Sequence, residues 1–295
     1  MDPPGTRAER AGSAHSDLSA VARLRLPGLP PFVLHVHGQG DRFISEALRA
    51  RGVWEPLETR AVLALLEPGD GFVDLGAHLG YYSVLAALRV GPAGRVLACE
   101  PDPENFALLE RNLAENGVGW VRRQRCAVSD RAGRSWLYRS ADNKGDHRLY
   151  DSEAGRRAVA ASAVTLDGLL EDPAEGWHLV KMDTQGCEAL ILRGAERVLA
   201  ARGGRLAWLV EFWPFGLERS GAGADELLAR LAKLDVELAI LDEGAGRAVP
   251  TTVAALSELA RGGLRPETGW FVNLAAVPRA QPERWARVLQ ARIET

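Results

Sequence analysis

The chain reads as an α/β protein built on a mostly parallel, seven-stranded sheet with helices on both faces and an extension in front of it. Three observations predict this. Short apolar runs alternate with amphipathic stretches of helical period, the pattern of strands joined by crossover helices. The runs are apolar on both faces, as strands covered by helices on two sides must be. Two of them also end in an acid beside a turn. Residues 71–75 carry Asp74 and run into Gly76 and Gly80, while residues 95–99 lead into Glu100.

Taken in order, residues 1–20 are rich in Pro, Gly, Ser, Ala and charge and read as a flexible tail that includes His15. Residues 21–57 form an N-terminal extension or cap, with a strand-like run at 32–37 and a helix at 41–52. The main domain spans residues 58–280. A helix over 59–66 is stopped by Pro68-Gly69, a strand follows at 71–75, and a helix over 81–90 ends at Gly91-Pro92. After the strand at 95–99, Asp102 is placed to cap a helix with Pro103 at its first position, and Asn116-Gly117 closes it. A third strand is expected over 120–128, with a hairpin partner at 134–138. Residues 140–160 are polar and irregular, a candidate functional loop. A strand-to-helix connection is expected over 164–170. Strands at 178–182, 206–212 and 236–241 follow, separated by helices at 187–201 and 224–234. The run at 270–277 lacks a strong crossover helix before it, which points to antiparallel insertion. Residues 281–295 form a C-terminal helix.

The composition narrows the function. The 295 residues are 46% apolar and 25% charged, with a net charge of −3, a balance that argues against a nucleic-acid partner. No apolar run reaches the roughly 18 residues needed to span a bilayer. Cys99, Cys126 and Cys187 follow no metal-ligand spacing and suggest reduced thiols in a cytoplasmic protein, with no metal site expected.

A glycine turn at one strand end and an acid at the next strand end suit a nucleoside-containing cofactor, the acid accepting from the ribose hydroxyls. The loop is Gly76-x-x-x-Gly80, and His78 stands where a dinucleotide fingerprint has its middle glycine. A side chain there crowds a pyrophosphate, and Asp74 repels one. Both points favour S-adenosylmethionine over NAD, and an NAD-dependent oxidoreductase remains the alternative.

The run from Val73 to Ser83 resembles the glycine loop of FkbM-type methyltransferases. Glu100-Pro101-Asp102-Pro103-Glu104-Asn105, Ala127-Val128-Ser129-Asp130 and the run from Val180 to Glu188 are similar to further motifs of that family. The resemblance covers roughly residues 40–215. It implies a Rossmann-like class I methyltransferase fold and S-adenosylmethionine as donor, with hydroxyls of natural products, sugars or lipids as acceptors. It also implies a cofactor site drawn from Asp74, Gly76, Ala77, His78, Gly80, Tyr81, Glu100 and Pro101. Two departures stand out: His78 where the family usually has Asn, and Gln185 where it usually has Glu. The second bears on any role that needs a carboxylate at 185.

Each assignment has a structural counterpart. Asp74 and Gly76 lie under the methionine end of the cofactor or order the loop. Glu100 holds the ribose diol or sits at a helix start for the macrodipole. Asn105 reaches the ligand or caps the helix. Ser129 and Asp130 meet the adenine edge, or Asp130 forms an Asx-turn. Asp183, at a strand end facing the crevice, binds the cofactor's amino group, orients the acceptor hydroxyl or binds a metal. Glu211 lies in an apolar run where an acid needs a partner or a task. His147 is the leading candidate for the base that removes the hydroxyl proton, with Asp183 next; its counterpart is an exposed loop histidine. Arg148 contacts an anionic acceptor or a surface carboxylate, and Trp213 walls the acceptor pocket or packs. His35 and His37 are structural. The expected partner is a small-molecule acceptor, with neither nucleic acid nor membrane engaged and a homodimer as the candidate assembly. An RNA or protein methyltransferase on the same fold is the other alternative.

Overall fold

The computed structural model describes residues 20–151, 155–170, 176–202, 204–264 and 270–293. The expected tail lies outside them except for Ala20, which opens β1 (Ala20–Leu24) of an antiparallel hairpin with β2 (Phe32–Val36). Two helices follow, α1 (Ile44–Arg51) and α2 (Pro56–Leu65), and then the α/β core. Its first half runs β3 (Gly71–Leu75), α3 (Tyr81–Val90), β4 (Arg95–Cys99), α4 (Pro103–Glu115) and β5 (Arg122–Gln124). A small sheet intervenes, made of β6 (Ala127–Val128), β7 (Gly133–Arg139) and β8 (Arg157–Val164), before the short helix α5 (Leu166–Leu169). The second half runs β9 (Leu179–Met182), α6 (Glu188–Arg193), α7 (Glu196–Arg202), β10 (Ala207–Phe212), α8 (Pro214–Arg219), α9 (Ala224–Leu231), β11 (Val236–Asp242), β12 (Arg247–Thr251), α10 (Val253–Arg261), β13 (Val272–Pro278) and α11 (Pro282–Gln290). Among the described residues no helix is long and apolar enough to cross a membrane.

The main sheet has the order β12-β11-β13-β10-β9-β3-β4-β5. The pairs from β10 to β5 are parallel, and β13 enters antiparallel between β10 and β11 as expected, although a helix, α10, does precede it. Alternation along each strand feeds two cores. Phe72, Val96, Leu179 and Leu209 face α2, α3 and α11, while Val73, Leu97, Val180 and Val210 face α6 and α9. The nucleoside-binding end of such a sheet is where β3 and β9 part, at the carboxyl ends of the strands.

Several expected elements are corrected. The sheet has eight strands, because β12 adds to the edge beyond the seven expected. The strand expected over 120–128 is two, since the chain leaves the main sheet after Gln124 and β6 joins β8. β8 lies in the stretch expected to be irregular; its Ala-rich run gives a weak strand signal. The helix expected over 187–201 breaks at Gly194, which packs against the backbone of Ser129 and Asp130 with no room for a Cβ. The boundary expected at residues 57 and 58 falls inside α2. α11 is part of the main body, with Val288 fully buried in the core that also holds α2 residues.

α4 holds the N-terminal hairpin in an unusual way. Asn112 accepts from the His35 backbone N–H at 2.6 Å and donates to the His35 carbonyl at 2.9 Å. Four residues on, Asn116 repeats this at Val33, at 3.0 and 2.7 Å. The two amides lie on one helix face and satisfy alternate residues of β2, as a neighbouring strand would. Asn112 also donates to the Leu79 carbonyl at 2.7 Å, so it ties the hairpin to the glycine loop. Replacing Asn112 with Leu strands buried backbone groups at both places. Urea denaturation of Asn112→Leu should show a loss of about 3 kcal/mol, and a loss under about 0.5 kcal/mol would show that the clamp is dispensable.

Candidate active site

The loop after β3 is shaped by three left-handed residues, Gly76, His78 and Gly80, at φ of 85°, 52° and 90°. A Cβ on Gly76 would run into the Asp183 carbonyl, so the loop and the end of β9 touch through backbone alone. Gly76 and Ala77 donate to the Cys99 carbonyl at 3.0 and 2.9 Å, which ties the loop to β4. Glu100 closes the joint. Its carboxylate accepts from the His78 N–H at 2.8 Å and from the Asp102 N–H at 2.8 Å. Burial nevertheless lifts its carboxyl to about 8, against those two donors.

Beside this joint lies a cavity. Gly76, His78, Glu100, Pro101 and Asn105 line one side; Cys126, Ala127, Val128 and Leu137 give it an apolar wall. Both ring nitrogens of His78 are shielded from water and lack a hydrogen-bond partner. Burial holds that imidazole down at about 4.

Other expected cofactor residues fall elsewhere. Asp74 does not line the cavity. It sits beneath, accepting from the Ser83 hydroxyl at 2.6 Å, and burial raises its carboxyl to about 6. Ala77, Gly80 and Tyr81 shape and pack the loop without lining the cavity; the Tyr81 hydroxyl meets Thr59 at 2.9 Å. The expectation for Ser129 and Asp130 is corrected too. The chain turns away after Val128, Asp130 pairs with Arg131 and Arg193, and the residues just before them form the wall. Asn105 does line the cavity, but it does not cap α4; Asp102 does. The Asn105 amide links His37 at 2.8 Å to the Lys144 carbonyl at 3.0 Å, joining the extension to the loop after β7.

A second cavity adjoins the first. Ile44, Gly145, Asp183 and Gln185 line both. The extension supplies Phe43, Trp54 and Glu55, and the core supplies Glu211 and Trp213. Asp183 of this lining also belongs to a buried charge cluster that was not evident from sequence. Lys181 on β9 lies buried with its ammonium 3.0 Å from Asp183, 3.6 Å from Glu58 and 4.6 Å above the Tyr82 ring. Burial alone would lower its pKa, but Asp183, Glu58, Glu55 and Asp74 outweigh it and hold the ammonium well above its ordinary value. Burial first, then neighbouring carboxylates, hold Glu55 and Glu211 well above the carboxylate range. The Gln185 amide nitrogen spans 3.1 Å to Asp183 and 3.2 Å to each oxygen of Glu211. Among the described residues no cluster of three or more His, Cys, Asp or Glu is arranged to hold a metal.

His147 does not meet the expectation of a base. It lines the first cavity and not the second, and its Nδ1 already accepts from the Ser140 N–H at 3.1 Å. Burial, then Arg139 and Lys144, hold it down at about 3. Arg148 does line the second cavity, but its guanidinium grips Asp146 at 2.6 and 2.9 Å and stacks 4.8 Å over Trp213.

The family model described as the methyltransferase FkbM domain matches residues 74–235, more than half of the chain. The chain is 28% identical over 165 residues to methyltransferase sdnD of Sordaria araneosa, covering 45% of this chain and 63% of that protein. It is 43% identical over 68 residues to the 31-O-demethyl-FK506 methyltransferase FkbM of Streptomyces tacrolimicus, covering 23% of this chain and 25% of that protein. The chain therefore spans less than two thirds of the length of these curated relatives. Among solved structures, it is similar to Aeropyrum pernix fibrillarin in complex with S-adenosyl-L-methionine, with a TM-score of 0.40 and 15% identity over 75% of this chain and 74% of that one. A likeness that low carries no assignment.

The state of Glu100 has a measurable consequence. A carboxyl moved from 4.5 to about 8 keeps in the native protein a proton that the unfolded chain has released, so stability falls as pH rises through that window. Gln at this position is permanently neutral. Between pH 5 and pH 8, the wild type should lose about 2 kcal/mol or more relative to Glu100→Gln in urea denaturation. Parallel pH dependence in the two proteins would show that Glu100 is ionised throughout.

Proposed function

The chain belongs to the FkbM methyltransferase family, and on that premise we propose that it is an S-adenosylmethionine-dependent O-methyltransferase acting on a hydroxyl of a small natural product or sugar-like metabolite. The observation that carries this reading is the pair of adjoining cavities that meet at Asp183 and Gln185. The lining of one suits a nucleoside-bearing donor; the other is a separate chamber for an acceptor.

The residues fit the donor. Glu100 offers its carboxyl oxygens to the ribose hydroxyls, while Pro101, Val128 and Leu137 give the base an apolar slot. The bare backbone of Gly76 allows close approach. Asp183, with Asp74 and Glu58 behind it, makes the far end electronegative, which favours a cationic ligand and disfavours phosphates. When bound, S-adenosylmethionine supplies an electrophilic methyl carbon on a sulfonium centre.

The chain's own part is to hold the acceptor, exclude water and take a proton. Trp54 and Trp213 wall the second chamber, and Ile44 stands at the junction against Gly145. A neutral hydroxyl attacks poorly, so a base must receive its proton as the new bond forms. Asp183 and Glu211 border this chamber, whereas His147 lines the other with Nδ1 engaged. The raised proton affinity of Glu211 suits it to accept a proton and release it later. The 31-O-demethyl-FK506 methyltransferase, by its name, acts on an oxygen of a natural product; that likeness supports an oxygen acceptor.

Calorimetry with S-adenosylhomocysteine tests the donor reading, and NADH serves as the competing ligand. The homocysteine product should bind and NADH should not. Glu100→Ala should weaken that binding by about 10- to 100-fold, the worth of two hydrogen bonds. Binding of NADH in place of the product, or unchanged affinity in the variant, would defeat the assignment. A panel of hydroxylated macrolides and glycosides, assayed by mass spectrometry for an added methyl group, tests the acceptor class.

A further inference from the structure

We propose that Gln185 is a positioning residue: its side-chain amide clamps Asp183 and Glu211 in the mutual orientation from which one of them takes the proton of the acceptor hydroxyl. The inference rests on the acceptor reading above and gives a task to a residue that this reading places only at the cavity junction.

The backbone at Gln185 is held in a conformation that a residue with a Cβ rarely adopts, with φ at 56°. Three contacts impose it. The Tyr150 hydroxyl donates to the Gln185 carbonyl at 2.8 Å. Glu188 caps the same turn, accepting from the Thr184 N–H at 2.9 Å, the Thr184 hydroxyl at 2.8 Å and the Gly186 N–H at 3.3 Å. Gly186 lies against the Gly216 backbone with no room for a Cβ. Such over-determination fixes where the side chain begins.

That side chain has one amino group with two hydrogens, and two carboxylates lie within reach. Its nitrogen is 3.1 Å from Asp183 Oδ1 and 3.2 Å from both Glu211 oxygens. One hydrogen for each acid turns two carboxylates that would repel into a braced pair. The groups around the pair are unequal. Glu55, Glu188 and Asp183 face Glu211 and raise its proton affinity, Lys181 opposes them, and Arg148 with its partner Asp146 borders the same chamber. A neutral donor at 185 shields both acids from each other without adding charge. A carboxylate at 185 would add a third like charge at the same point. In the proposed step the acceptor O–H bond breaks and its proton joins a carboxylate oxygen of the braced pair. The neutral acid then returns that proton to solvent.

The test is an infrared pH titration of carboxyl protonation in the ligand-free protein. Glu211→Gln identifies the Glu211 band by its loss. Removing the donor with Gln185→Ala should raise the Glu211 protonation midpoint by at least one pH unit, a tenfold gain in proton affinity. Gln185→Met, similar in length and without a donor, serves the same purpose if the alanine variant does not fold. With any panel alcohol that the enzyme methylates, the acidic limb of kcat against pH should move up with the midpoint. An unmoved midpoint in a folded variant overturns the clamp. A midpoint that moves while the kcat limb stays in place overturns its part in proton removal. Failure of the donor reading would show separately, as absent heat with S-adenosylhomocysteine, because the infrared titration needs no ligand.

Discussion

One ammonium buried among carboxylates from several elements is the constraint around which the catalytic end is arranged. Lys181 brings Glu58 of α2 and Asp183, just past β9, to one point, with Asp74 of β3 and Glu55 nearby. Burying any of these acids without the lysine would be prohibitive, and burying the lysine without them equally so. The group as a whole stays rich in negative charge. That excess is costly to stability and useful to function, because it makes a place where a cation is welcome. The raised proton affinity of Glu55 shows the protein reducing the cost by holding a proton.

The two chambers divide the work along the chain. Donor-side groups come from the core, within the family-matched region, and are set by backbone: a left-handed loop, a strand end and a helix cap. Acceptor-side groups come in good part from residues 43–55, outside that region. On the proposed reading, the extension writes part of the acceptor specificity.

What could be read from sequence follows this division. The glycine loop, the acid at 100 and the parallel strands were legible because local backbone geometry demands particular residues at fixed spacing. The cavity wall at 126–128 was placed a step too late, at Ser129 and Asp130, since nothing in the run reveals that the chain changes sheets after Gln124. His147 looked poised for proton transfer; only the fold reveals that Ser140 occupies its lone pair. Glu55, Glu58 and Lys181 gave no signal, because each is ordinary in its own segment and becomes unusual only through the others. Gln185 was visible as a departure from the family pattern, yet its partners were not.

The asparagine pair on α4 sets a condition on how such extensions are exchanged in evolution or by design. A hairpin transplanted from a relative must present two alternate residues to a host helix that carries amides four positions apart. A host lacking them would receive the new lid with bare peptide groups against its side. On the proposed reading, acceptor preference travels with a grafting code written on a helix outside the acceptor chamber.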